Sequence, residues 1–250
     1  MKYNQNDIDY LKKYIKEYKL DDTYYNKCLE ELKKGRPIQY IIGNVNFYGN
    51  IIKVNENVLI PRYETELLVD ITIKKIKKYF PNKKVDIIDL GTGSGCIAIT
   101  LKKEIASNVD AIDISQEAIE VAKNNAIENN VDINFINKDM TTYQDKKYDI
   151  IISNPPYIKE NEEIMEIVKN NEPHLALYAK ENGIYFYKKI IENIKYIAKD
   201  KYLICFEIGY TQSTEIVDIA KNTLKNINIS VEKDYSGKDR FIFITNVKEY

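Results

Sequence analysis

The chain has 250 residues, 44% hydrophobic and 30% charged, the mix of a globular protein able to bury a sizeable core in one large domain or in one medium and one small. Its 37 basic and 38 acidic residues leave a net charge of -1, which excludes the basic excess of a dedicated nucleic-acid binder. The first 20 residues lack the apolar core of a signal peptide and no apolar run approaches the ~20 residues that cross a bilayer, so a cytoplasmic protein without membrane contact is expected. The cysteines Cys28, Cys96 and Cys205 are odd in number and far apart, which fits reduced structural thiols better than a disulfide framework or a zinc site. With His174 the sole histidine, histidine triads and histidine-rich metal sites drop out, and no metal is expected. His174 itself, within Glu172-Pro173-His174-Leu175, reads as a loop or packing residue.

In chain order, Ile8, Leu11 and Ile15, then Tyr25, Cys28, Leu29 and Leu32, recur at helical spacing on either side of Leu20-Asp21-Asp22-Thr23. They predict two helices that end by Gly35 and Pro37, a docking or packing module without catalytic chemistry. Next come short strand-like runs, Val45-Asn46-Phe47-Tyr48, Ile51-Ile52-Lys53-Val54 and Val58-Leu59-Ile60, with turns at Gly49-Asn50 and Asn55-Glu56-Asn57. A β-hairpin linker over 37–62 is expected, followed by a helix over 64–80. From Val85 onward, strands over 85–90, 109–114, 133–137, 148–153 and 202–208 alternate with helices over 94–105, 116–128, 183–198 and 212–224. That alternation predicts a doubly wound, mostly parallel α/β sheet whose ligands sit beyond the carboxyl ends of the strands. Two closing strands, 227–232 and 241–247, have no helix between them and should form an antiparallel edge hairpin.

The strand over 85–90 runs into Asp89-Leu90-Gly91-Thr92-Gly93-Ser94-Gly95. Glycines there permit a tight turn and close backbone approach to a ligand, with amides at the next helix start as donors. Asp113 ends the second strand, where a carboxylate can accept from ribose hydroxyls. A dinucleotide fingerprint requires its third glycine one position later, where Cys96 stands. Asp-x-Gly-x-Gly-x-Gly resembles instead the first motif of the Rossmann-like class I S-adenosylmethionine-dependent methyltransferases. That resemblance implies S-adenosylmethionine as cofactor, with Gly91, Thr92, Gly93, Ser94 and Gly95 around its methionine end, Asp113 at the ribose, and Asp139 and Met140 at the adenine.

The run Ile150-Ile151-Ile152 reads as a buried strand that stops at Ser153-Asn154-Pro155-Pro156-Tyr157, because neither proline can donate to a ladder. Pro155 holds Asn154 extended, which aims its side chain. Asn-Pro-Pro-Tyr at this place resembles the signature of methyltransferases acting on planar nitrogens, either an adenine amine or a glutamine amide. Such a nitrogen is a poor nucleophile because its lone pair is delocalised. Asn154, beside the expected sulfonium, and the Pro155 carbonyl can accept from both N–H groups and turn the lone pair toward the methyl group, while Tyr157 can stack on the flat substrate and Pro156 completes the turn.

Further stretches extend the likeness. Arg36-Pro37-Ile38-Gln39-Tyr40-Ile41-Ile42-Gly43, Phe47-Tyr48-Gly49, Leu59-Ile60-Pro61-Arg62 with Thr65-Glu66, Glu172-Pro173, Phe206-Glu207-Ile208-Gly209 with Gln212, and Gly237-Lys238-Asp239-Arg240 resemble the peptide chain release factor glutamine methyltransferases. Tyr63 departs from that pattern, standing where proline commonly follows the Pro-Arg pair. The resemblance implies methylation of the glutamine in the Gly-Gly-Gln motif of class 1 release factors; a monomer is expected, and the charge balance leads us to expect no direct nucleic-acid partner. Asn154, Pro155, Pro156 and Tyr157 would bind the amide, and Arg62 would stand near the mouth of the site. Residues 1–36 would be a small substrate-binding helical domain, 37–62 the linker and 63–250 the methyltransferase domain. Two other substrates share the chemistry, a glutamine of a ribosomal protein and an adenine of DNA or RNA.

Overall fold

The computed structural model describes residues 4–248, so positions 1–3 and 249–250 of the expected outer units lie outside the described residues. Helix α1 (Gln5–Tyr18) begins where the Asn4 side chain accepts from the Asn6 N–H, and α2 (Asp22–Lys33) where Asp21 accepts from the Tyr24 N–H at 2.9 Å. Each such cap is worth about 1 kcal/mol and explains why the helical pattern breaks at Leu20-Asp21. A short helix, α3 (Ile38–Ile42), follows where the sequence predicts none. Ile38 and Ile42 pack with Leu11, Cys28 and Leu32, whereas Tyr40 turns into the main core and donates to the Val58 carbonyl at 2.6 Å. Strands β1 (Asn44–Phe47) and β2 (Asn50–Lys53) form the expected antiparallel hairpin. Val58-Leu59-Ile60 is not a strand: the Ile60 N–H donates to the Glu172 carboxylate at 3.2 Å, and Pro61 offers no donor to a ladder.

Beyond α4 (Tyr63–Tyr79), strands and helices alternate as β3 (Val85–Leu90), α5 (Cys96–Glu104), β4 (Ser107–Asp113), α6 (Gln116–Glu128), β5 (Asn134–Asn137) and β6 (Tyr148–Ser153). A loop region then carries β7 (Ile158–Lys159), α7 (Glu166–Asn171) and β8 (Tyr178–Ala179), which are too short to leave a period in the sequence. The chain closes with α8 (Tyr185–Ile197), β9 (Ala198–Glu207), α9 (Ser213–Thr223), β10 (Asn228–Lys233) and β11 (Asp239–Thr245). The seven-stranded sheet has the order β10-β11-β9-β6-β3-β4-β5, antiparallel at β10, β11 and β9 and parallel elsewhere. This is the doubly wound sheet with an antiparallel edge hairpin that the sequence predicts.

Both faces of the sheet are covered. Ile150 and Ile152 pack with α4, α5 and the β1–β2 hairpin, and Ile151 packs with α8 and α9 on the other side. Alternation along the strand thus gives each isoleucine a helical layer, and each buried side chain contributes about 1.5–3 kcal/mol. From β3 the chain winds outward through β4 and β5, then returns to β6 on the opposite side. The crevice of the sheet therefore opens between the ends of β3 and β6, where Gly91 and Asn154 stand.

Candidate active site

The turn after β3 has Gly91, Gly93 and Gly95 at φ +75°, +54° and +81°, a backbone that side chains with a Cβ rarely adopt. A Cβ on Gly91 would lie 3.4 Å from the Met140 methyl, whereas one on Gly93 would meet nothing within 4 Å, so Gly93 is demanded by its backbone and not by crowding. The turn is held from β4: the Ile112 carbonyl accepts from the Gly91 and Thr92 amides at 2.9 Å, and Asp113 accepts from Gly93 N–H at 2.9 Å and Ser115 N–H at 3.0 Å. Burial raises the Asp113 pKa, with the backbone donors opposing the shift. Behind the turn, Thr92 donates to Asp89 at 2.6 Å. The other Asp89 oxygen has no partner among the described residues, and burial pushes this carboxyl up to about 7. Asp139 accepts from the Thr141 N–H and hydroxyl at 2.8 and 2.7 Å through one oxygen.

At the end of β6, the Ser153 hydroxyl donates to the Leu90 carbonyl at 2.6 Å and locks the two strand ends together. The Asn154 NH2 donates to Thr65 Oγ1 at 3.1 Å, and the Thr65 hydroxyl donates to the buried Glu207 carboxylate at 2.7 Å. Pro155 and Pro156 are buried. The Tyr157 carbonyl accepts from Gln212 Nε2 at 2.9 Å, and Gln212 Oε1 in turn accepts from the Gly209 N–H at 2.9 Å. Gly183, at φ +88°, lies so close that a Cβ would come within 2.2 Å of the Tyr157 carbonyl oxygen. The Tyr157 ring packs on the α8–α9 side, where burial, then the Glu207 charge, raises its phenol pKa.

These pieces meet in one cavity of about 520 Å³. Gly91, Thr92, Gly93, Ser94, Asp113, Asp139 and Met140 line one part, and Asn154, Pro156, Thr65 and Pro61 another, closed by Leu175, Tyr178, Tyr185 and Phe186. Gly95, Pro155, Tyr157 and Arg62 do not line it. Gly95 instead caps α5, and Arg62 is ion-paired with Glu172, whose other oxygen holds the Ile60 N–H. The volume lies in the range of small-molecule sites. Asp113 in the cavity lining, an open Asp139 oxygen and the open space beside Gly93 suit a ligand with a sugar diol, a base amine and an amino-acid end, so the residues fit the expected cofactor. Thr65 and Glu207 carry no role in the sequence reading. The signal that could have found Glu207 is a carboxylate ending the apolar run Leu203-Ile204-Cys205-Phe206, since a buried charge needs a partner.

The family model described as Methyltransferase small domain matches residues 65–178. The chain is 42% identical to a release factor glutamine methyltransferase of Bacillus subtilis (strain 168), over 89% of this chain and 80% of that protein. It is 43% identical to a release factor glutamine methyltransferase of Flavobacterium psychrophilum, over 87% of this chain and 78% of that protein. Among solved structures, the magnesium protoporphyrin IX methyltransferase of Synechocystis PCC 6803 with bound SAM superposes with a TM-score of 0.51 at 14% identity, over 73% of this chain and 79% of that one. The last likeness is one of fold.

Proposed function

The chain belongs to the family of release factor glutamine methyltransferases, and on that premise we propose that it transfers the methyl group of S-adenosylmethionine to the side-chain amide nitrogen of the glutamine in the Gly-Gly-Gln motif of class 1 peptide chain release factors. The observation that supports this reading is the single cavity shared by the glycine turn and Asn154.

When bound, S-adenosylmethionine supplies an electrophilic methyl group on a sulfonium that leaves as a neutral thioether. The turn from Gly91 to Ser94 would hold its amino-acid end, Asp113 the ribose hydroxyls, and Asp139 with Met140 the adenine. Asn154 Oδ1 and the Pro155 carbonyl would accept from the two N–H groups of the substrate amide and turn its lone pair toward the methyl group. The same acceptors stabilise the positive charge that grows on nitrogen, and one N–H proton is lost once the N–C bond has formed. Orientation of this kind is worth up to about 7–11 kcal/mol. Pro156 and the aromatic wall of Tyr178, Tyr185 and Phe186 would keep the flat amide in place, and Tyr157 would brace the turn from behind. Residues 1–36 would grip the release factor.

The test is transfer of label from S-adenosylmethionine to purified release factor, ribosomal protein and nucleic acid in separate reactions. Label on the Gly-Gly-Gln glutamine is expected, located by mass spectrometry of the digested protein. Label confined to ribosomal protein or nucleic acid would overturn the proposal.

A further inference from the structure

An amide side chain is nearly symmetric in shape but not in chemistry. Asn154 serves a substrate N–H only if its oxygen, and not its NH2, faces the cavity. What sets that orientation lies outside the Asn-Pro-Pro-Tyr turn. Asn154 continues β6 just past Ser153, and Ser153 pairs with Phe206, so Glu207 is the next residue on the neighbouring strand β9. The first turn of α4 places the buried Thr65 between them, with Oγ1 3.1 Å from Asn154 Nδ2 and 2.7 Å from Glu207 Oε2. Among the described residues Asn154 Oδ1 has no hydrogen-bond partner within the chain.

The geometry points to Thr65 and Glu207 as positioning residues for Asn154, an inference that rests on the proposed methyl transfer to an amide. An ionised carboxylate only accepts, so Thr65 must spend its single proton on Glu207. That leaves Thr65 Oγ1 with lone pairs alone, and only the NH2 end of Asn154 can meet them. The direction of the whole chain is therefore set by its buried terminal carboxylate, and Asn154 Oδ1 is turned toward the substrate at no reorganisation cost during the reaction.

The arrangement makes the site sensitive to the charge on Glu207. Arg62, Glu64 and Thr65 face it from the start of α4, Arg240 from β11, Tyr157 from the turn after β6, and Cys96 from α5; the Tyr187 hydroxyl on α8 donates to its backbone carbonyl at 2.8 Å. Burial outweighs the two arginines and pushes the carboxyl up to about 7. Below that pH, protonated Glu207 donates to Thr65, the Thr65 hydroxyl is free to donate to Asn154, and the amide turns over to present NH2 to the substrate NH2. Turnover should thus fall as pH drops through about 7.

The experiment compares wild type, Thr65→Ser, Thr65→Val and Glu207→Gln with release factor as substrate, and records the Asn154 side-chain NH2 signal of 15N-labelled protein, identified by its absence from Asn154→Ala. Thr65→Val should lower kcat about tenfold to hundredfold with S-adenosylhomocysteine affinity unchanged, while Thr65→Ser retains most of it. Glu207→Gln should lower kcat and erase the acid limb of its pH profile. The NH2 signal of the wild type should shift with a midpoint near 7 and stay flat in Glu207→Gln. A Thr65→Val enzyme with full kcat, or an NH2 signal that ignores pH in the wild type or still titrates in Glu207→Gln, would overturn the inference. The NH2 titration needs no substrate, so a wild type that fails to methylate release factor defeats only the proposed function.

Discussion

Asn154 is half-buried, lines the cavity, and is held through its NH2 by Thr65. On the proposed mechanism its truncation removes the acceptor for the substrate amide while leaving the glycine turn untouched. Asn154→Ala should therefore bind S-adenosylhomocysteine normally and lose about 100-fold or more in kcat, measured by single-turnover methyl transfer. Near-normal turnover would mean that the amide nitrogen is oriented by something else. Pro155 and Pro156 explain why the residue is legible from sequence: two consecutive prolines end a buried strand wherever they occur, and the residue before them is extended for steric reasons alone. Arg62 is the opposite case. Sequence places it near the site mouth, but a basic residue finds its carboxylate by tertiary proximity, and Glu172, 110 positions away, could not be chosen from the chain by local rules.

At the scale of elements, the Asn-Pro-Pro-Tyr turn is positioned by contacts to its backbone. The Tyr157 carbonyl is gripped by Gln212 at the start of α9 and packed against Gly183 just before α8. Gly183→Ala puts a Cβ 2.2 Å from that carbonyl oxygen and 2.4 Å from Gln212 Nε2, at a φ of +88°. The expected result is a loss of stability of about 1–3 kcal/mol, seen as a lower thermal midpoint, together with a lower kcat because the turn moves. An unchanged midpoint would show that the turn can yield without cost. A second staple joins the hairpin to the cofactor end: buried Asn125 on α6 donates to the carbonyls of Lys53 and Ser94, both at 2.9 Å, and accepts from the Lys53 N–H at 2.7 Å. Asn125→Ala leaves these groups unsatisfied at about 1–3 kcal/mol, and should weaken S-adenosylhomocysteine binding in calorimetry. The longer helices and strands from β3 to β11 follow the sequence pattern because they extend far enough to show its period, whereas α3, α7, β7 and β8 do not.

Across the whole molecule, the linker is clamped onto the loop after α7 by Arg62 and the Ile60 amide, both on Glu172. Arg62→Ala leaves a buried carboxylate with one partner fewer and should lower the thermal midpoint; the half-exposed arginine is screened, so the loss is about 1–2 kcal/mol. The amino-terminal helices and α3 form a small core of their own, which Leu11, Cys28, Leu32, Ile38 and Ile42 share. If that unit grips the release factor, adding the factor to the full chain should slow amide exchange in α1 and α2, and exchange that stays unchanged there would remove the helices from the substrate interface.

By itself, the sequence determined the alternation of strands and helices, the glycine turn, the Asn-Pro-Pro-Tyr stop and the transferred group those two motifs imply. All of these rest on rules that act over a few neighbouring residues, such as apolar period, positive φ and missing donors. Only the tertiary structure decided that Thr65 stands between Asn154 and Glu207, 89 positions from one and 142 from the other, and that Tyr157 braces the turn from outside the cavity. The physical reason is strand order: with β9 next to β6 and α4 crossing their ends, partners for a buried polar atom come from whatever the sheet brings alongside, and that pairing leaves no local mark in the chain.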